Sequence, residues 1–83
     1  MAYNERVDRL NAIRLLQALV AAGANSKAPM ADPWIAKIAL EIGLHDGELH
    51  SALAYAGTQD WLADSQKEGW TSLTRAGEAV AKS

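Results

Sequence analysis

Apolar side chains recur at intervals of three and four residues along the first quarter of the chain. Between residues 4 and 22 the positions that keep this interval are Val7, Leu10, Ile13, Leu16 and Val20. An α-helix completes a turn every 3.6 residues, so this spacing lines one face and predicts a helix with Asn4 as its cap. Leu15 and Leu19 add a second apolar edge, so the apolar arc is wider than one contact surface needs; a partner, such as a second copy of the chain, is one explanation. Gly23 ends the segment, and residues 24–31 predict a polar loop.

Two further helices follow, separated by a glycine. Asp32 and Pro33 predict the start of the first, because the carboxylate accepts from free backbone N–H groups and proline has no N–H to leave unpaired there. Its apolar positions are Trp34, Ile35, Ile38, Ala39 and Ile42, and Gly43 stops it. His45 or Asp46 then caps a helix over residues 46–57. The side chains expected to face inward are Leu49, Ala52, Leu53 and Ala56.

The last third of the chain predicts a β-hairpin and a short helix. The predicted elements are strands over 61–64 and 70–73, a polar loop over 65–69 and a helix over 75–81. The strand segments hold aromatic and β-tolerant side chains, and the loop ends in glycine. Alternation along the strands places Leu62 and Leu73 over the core. Thr74 is the expected cap of the last helix, whose Ala79 and Val80 pack inward.

Composition predicts one globular domain, spanning residues 1–83. Hydrophobic residues make up 49% and charged residues 22% of the chain, a balance typical of folded proteins. There is no cysteine, which excludes disulfides and thiol chemistry. No apolar stretch approaches the ~20 residues of a membrane span, so we expect a cytoplasmic protein with no membrane partner.

Two short segments hold small, apolar and glycine residues in a recognisable order. The first comprises Ile38-Ala39, Ile42-Gly43-Leu44, Leu49 and Ala52-Leu53. In the second, Trp70 precedes Leu73-Thr74-Arg75-Ala76-Gly77. The first resembles the corner of a winged helix-turn-helix domain, and the second is similar to the aromatic-x-x-Leu-Thr-x-x-Gly junction at which many bacterial members of that family leave the wing. The resemblance covers most of the chain and implies a mainly α fold of three helices, a two-stranded wing and a short C-terminal helix.

The resemblance implies a DNA-binding or transcription-associated module. Members of the family often lay the third helix in the major groove of double-stranded DNA and rest the wing on the duplex. The side chains of this sequence at the corresponding positions are His50, Ser51 and Tyr55 on the third helix, Lys67 at the wing tip, and Arg75 and Lys37 toward the DNA backbone.

The charge pattern opposes this function and supports an alternative. Affinity for DNA comes largely from Lys and Arg that displace counterions from phosphates, whereas this chain has ten acidic and eight basic residues and a net charge of −2. Residues 43–60 hold no lysine or arginine but include Asp46, Glu48 and Asp60. The alternative is a winged-helix scaffold that binds protein and not DNA, as a homodimer or on a larger partner. Its interface would use Leu15, Leu19 or Trp70.

His45, Asp46 and His50 are the candidates for metal binding or proton transfer. The two histidines are five positions apart, unlike the four-residue spacing of helical zinc ligands, and Asp46 and His50 are spaced for a surface pair. No nucleophile motif or glycine-rich phosphate loop occurs. We therefore expect no enzymatic activity, metal, cofactor or small-molecule substrate. Trp34 and Trp61 are expected to fill the core.

Overall fold

The computed structural model describes residues 5–83, which form four helices and three short strands. The helices are α1 (Glu5–Ala21), α2 (Asp32–Glu41), α3 (Asp46–Thr58) and α4 (Arg75–Lys82). The strands are β1 (Met30–Ala31), β2 (Leu62–Asp64) and β3 (Trp70–Leu73). They form one antiparallel sheet in the order β1, β3, β2. The mainly helical class with a small sheet agrees with the sequence prediction.

The buried face of α1 differs from the predicted one. Leu16 is buried and Ile13 and Val20 are half-buried, but Val7 and Leu10 are 45% and 55% exposed. The residues that α1 buries are Asp8, Asn11, Ala12, Leu15, Leu16 and Leu19. The helix carries more apolar positions than one face holds, and its packing on α3 and α4 selects which of them enter the core. The predicted cap, Asn4, lies outside the described residues.

Leu15 and Leu19 are core residues, so their assignment to an accessible interface was wrong. Their side chains are 1% and 0% exposed. They belong to one cluster of buried apolar residues that also contains Ala39 of α2, Ala56 of α3 and Leu73 of β3. The wide apolar arc of α1 therefore serves contacts with several elements of the same chain.

α2 and α3 are separate helices, as predicted, and Gly43 makes the corner between them. Gly43 has a φ of +83°, a left-handed conformation that side chains disfavour. Its N–H donates to the Leu40 carbonyl at 3.1 Å, and the Leu44 N–H donates to the Ala39 carbonyl at 2.9 Å. These two bonds satisfy the last carbonyls of α2 in a Schellman arrangement. Leu44 is buried, which fixes the path of the chain into α3.

The starts of these two helices use acidic side chains in different ways. Asp32 is the first residue of α2 and not its cap, which is Ala31. The Asp32 carboxylate accepts from the Thr71 hydroxyl at 2.8 Å and so ties α2 to β3. At α3 the cap residue is His45, whose N–H donates to the Glu48 carboxylate at 3.3 Å.

The end of α3 lies beyond the predicted residue. The helix continues through Gly57 to Thr58, and the left-handed residue that follows is Asp60, with a φ of +62°. The Trp61 N–H donates to the Ala56 carbonyl at 2.9 Å. The Leu44 N–H makes the equivalent bond to the Ala39 carbonyl at the end of α2. Aspartate tolerates the left-handed conformation better than most residues because its short polar side chain bonds locally.

The predicted hairpin is confirmed, and β1 extends it into a three-stranded sheet. Leu62 pairs with Leu73, and both side chains are buried. β1 pairs with β3 through Met30 with Thr71 and Ala31 with Trp70. The sequence predicts a loop for both β1 residues, because a two-residue strand is too short to show an alternating pattern.

α4 begins as predicted and packs through a glycine. The Thr74 hydroxyl oxygen accepts from the Gly77 N–H at 3.0 Å, which caps the helix. Gly77 is buried and Val80 is half-buried, whereas Ala79 is exposed, contrary to the prediction. Within residues 5–83, no helix combines the length and the apolar character that crossing a membrane requires.

Candidate interaction surface on the third helix

Tyr55, one of the three predicted nucleic-acid contacts on α3, lies in the core. Its side chain is 5% exposed, and its ring meets the Trp61 ring edge to face with centroids 5.7 Å apart. The Tyr55 hydroxyl accepts from the Arg9 guanidinium with an N···O distance of 3.4 Å. The assignment of Tyr55 to DNA contact was therefore wrong. Position 55 lies three residues after the inward-facing Ala52, a spacing that places both side chains on one face of the helix.

The other two predicted contacts on α3 reach solvent. His50 is exposed and Ser51 is half-buried. Leu49 and Leu53, which the sequence predicts as inward, are also half-buried and pack against the edge of the core. The outer side of α3 is therefore a mixed apolar and polar strip.

The predicted cationic contacts stand on three different elements. Lys37 is exposed on α2, and Arg75 is exposed as the first residue of α4. Lys67 is exposed in the hairpin loop, with its ammonium nitrogen 4.5 Å from the centroid of the Trp70 ring. None of the three lines the cavities beside α3.

A groove runs along α3, between α2 and the sheet. It consists of two cavities of about 200 and 450 Å³ that are both lined by Leu53 and Thr71. We call it the α3 groove. Its larger apolar side chains are Ile35, Leu49, Leu53 and Leu62, and its carboxylates are Asp32, Asp60 and Asp64.

The α3 groove is negatively charged. Three aspartates line it, and no lysine or arginine of the described residues does. Asp46 and Glu48 are exposed in the first turn of α3 and add to the negative charge of this helix. A surface of this kind repels phosphate and attracts a cationic partner.

Positive charge collects on the outer side of α1. Arg6, Leu10 and Arg14 are exposed and spaced four residues apart, so they form one row about 12 Å long. We call this row the α1 face. The Arg14 guanidinium donates to the Ile42 carbonyl at 2.8 Å, which holds one end of the row in place. Glu5 is the one exposed acidic residue of α1, because Asp8 is buried.

The remaining polar side chains do not form a reactive cluster in the part of the chain that the structure describes. No three His, Asp or Glu side chains of residues 5–83 gather closely enough to hold a metal ion. The one ion pair among these residues joins Lys82 and Glu78 at 3.4 Å, so Asp46 and His50 do not form the predicted pair.

Comparison of the chain with models of protein families, with curated proteins and with solved structures finds no match in any of the three. The two charged surfaces of the chain itself, the α3 groove and the α1 face, are therefore the features that point to a function.

Proposed function

We propose that this chain is a winged-helix-type module that binds protein through the α3 groove, and that the occupant is the α1 face of a second copy. Support for the module class comes from the order of its elements: two helices joined by a glycine corner, then a hairpin that belongs to a three-stranded sheet. The observation that supports this choice of partner is the opposite charge of the α3 groove and the α1 face. Three carboxylates line the groove, while two guanidinium groups flank an exposed leucine on the α1 face.

The two surfaces complement each other in polarity as well as in charge. Leu10 of one copy would lie on the apolar floor formed by Leu49 and Leu53 of the other, and the arginines at either end of the row would face the groove carboxylates. Burying one leucine contributes ~1.5–3 kcal/mol, and each exposed ion pair ~0.2–1 kcal/mol. A two-fold pair makes this contact twice, so a dimer of modest affinity is the expected assembly.

Sedimentation velocity tests the association. We expect the average mass to rise toward that of a dimer as the protein concentration increases from about 10 µM to about 1 mM. The association should weaken in high salt, because exposed charges contribute to it. A strict monomer over this range would overturn the proposal.

Charge reversal identifies the surfaces. Asp64→Arg in the groove and Arg6→Glu on the α1 face should each reduce self-association. An equimolar mixture of the two variants should restore it, because both contacts of the mixed pair then join opposite charges. Glu41→Arg makes the same charge change as Asp64→Arg at an exposed position of α2 outside the groove, and it should leave the association intact. Failure of the mixture to associate would exclude these two surfaces.

Duplex DNA is the second candidate partner, favoured by the exposure of His50 on α3, the helix that the family resemblance assigns to the major groove. We expect no saturable binding of labelled duplex at about 50 mM salt, because the groove beside α3 is acidic. Binding that falls steeply with added salt and is weakened by His50→Ala would instead establish DNA as the partner and overturn the protein proposal.

A further inference from the structure

A second pocket lies on another part of the surface, where the loop after α1 meets β1, α2 and β3. It has a volume of about 330 Å³, and it shares no lining residue with the α3 groove. Its lining includes Ala28, Pro29 and Met30 of the chain leading into β1, together with Trp34 and Trp70. We call it the indole pocket.

Two indole side chains, those of Trp34 and Trp70, line this pocket. Trp34 and Trp70 are half-buried, whereas Trp61 is 7% exposed and packs on Tyr55 in the core. Trp34, which the sequence predicts to fill the core, packs against the core cluster and also lines the pocket. Exposed indole surface is favourably covered by a flat apolar group, because aromatic rings bury large areas and stack in offset or edge-to-face geometry.

A positive charge lies against Trp70, one of the residues that line the indole pocket. The Lys67 ammonium nitrogen lies 4.5 Å from the centroid of the Trp70 ring, and no residue with a charged side chain lines the pocket. Glu68 follows Lys67 in the chain, but the two side chains form no ion pair among the described residues.

The loop that carries Lys67 is anchored by backbone bonds. The Asp32 N–H donates to the Gly69 carbonyl at 2.9 Å, and the Trp70 N–H donates to the Lys67 carbonyl at 3.2 Å. The Lys67 N–H donates to the Ser65 hydroxyl at 3.2 Å. These bonds hold the lysine and the indole of Trp70 on the same short turn.

We infer that the indole pocket binds a small aromatic carboxylate, whose ring lies against Trp34 and Trp70 and whose carboxylate faces Lys67. The volume is at the lower end of the ~300–1,000 Å³ range of ligand pockets, which fits a single ring with a short acidic arm. The acid is favoured over a neutral or cationic aromatic because the Lys67 ammonium lies against Trp70, a lining residue, and the lining holds no carboxylate.

Nuclear magnetic resonance of the three indole N–H groups tests this site on the full chain. Phenylacetate is the probe and phenylacetamide its neutral counterpart. We expect phenylacetate to shift the Trp34 and Trp70 signals with a dissociation constant of about 1–10 mM, while the signal of the buried Trp61 stays in place. The amide should bind about two- to fivefold more weakly, the range of an exposed ion pair.

Variants test the contact of the carboxylate with Lys67 and the contact of the ring with the pocket separately. Lys67→Gln should weaken binding of phenylacetate about two- to fivefold and leave the amide unchanged, whereas Lys37→Gln, at an exposed lysine outside the pocket, should change neither. Ala28→Phe should block both ligands by filling the pocket from an exposed loop position without removing a core contact.

Three results would overturn the inference. They are equal affinity for the acid and the amide, shifts of Trp61 as large as those of Trp34 and Trp70, and full binding to the Ala28→Phe variant. Urea unfolding of each variant verifies that it folds. The Asp64→Arg variant, designed to disable the α3 groove, should bind phenylacetate normally, because the indole pocket shares no lining residue with the groove.

Discussion

Gly77 lies in the first turn of α4, where the helix passes against the chain entering β2. A methyl group on Gly77 would overlap the carbonyl oxygen of Trp61 and would lie 2.9 Å from the Leu73 Cδ1 atom and 3.0 Å from the Trp61 carbonyl carbon. Carbon atoms in favourable contact are ~3.5–4.0 Å apart, so the helix would have to move. The Trp61 carbonyl is itself engaged, because it accepts from the Thr74 N–H at 3.1 Å.

Gly77→Ala should therefore destabilise the protein, although alanine is the better helix former. Overpacking of a core typically costs ~1–3 kcal/mol, and we expect the upper end because backbone atoms are the obstacle. The higher helix propensity of alanine offsets ~1 kcal/mol of this loss. The expected net loss is ~2 kcal/mol of unfolding free energy, equivalent to a midpoint ~8–16 °C lower for a domain of this size.

Urea unfolding followed by circular dichroism measures this loss. Gly57→Ala in α3 is the matched control, because a methyl group there meets no atom within 4 Å. It should raise the unfolding free energy by ~0.5–1 kcal/mol. If Gly77→Ala proved as stable as the natural chain, the close approach of α4 to Trp61 would be refuted.

Three further predictions use the same unfolding measurement. Thr74→Val removes the oxygen that accepts from the Gly77 N–H and should cost ~0.5–2 kcal/mol, whereas Thr74→Ser should retain most of the stability. Gly43→Ala should cost ~1–2 kcal/mol, because the φ of +83° disfavours any side chain even though space is free. Leu44→Ala should lower the unfolding free energy by ~2–5 kcal/mol, because Leu44 is 2% exposed. Leu53→Ala should lower it clearly less, because Leu53 is half-buried. Equal losses would contradict the solvent exposure of Leu53.

Local sequence features predicted most of the elements and one of their junctions. The spacing of apolar residues located the helices, and the segments on either side of residues 65–69 located the hairpin. Thr74 and Gly77 belong to the second of the two short segments, and each has a structural role: Thr74 caps α4, and Gly77 lets α4 approach Trp61. Features of this kind are predictable because caps, turns and strand alternation depend on residues close in sequence.

The candidate site was predicted only in part. His50 and Lys67 are exposed as expected, but Tyr55 is buried, and the α3 groove was not anticipated at all. Its three carboxylates come from α2, the turn after α3 and β2. No spacing rule connects such distant positions, so only the packing of these elements could bring Asp32 into one groove with Asp60 and Asp64.

The sequence alone determined the corner at Gly43 and the placement of Leu62 and Leu73 over the core, because a left-handed turn and strand alternation depend on nearby residues. Tertiary packing decided which of two apolar stripes α1 buries, and whether β1 forms at all. Leu10 and Leu15 are equally apolar, yet one is 55% exposed and the other 1%. That difference arises from the positions of α3 and α4 around α1, because the hydrophobic effect favours burial without specifying the partner.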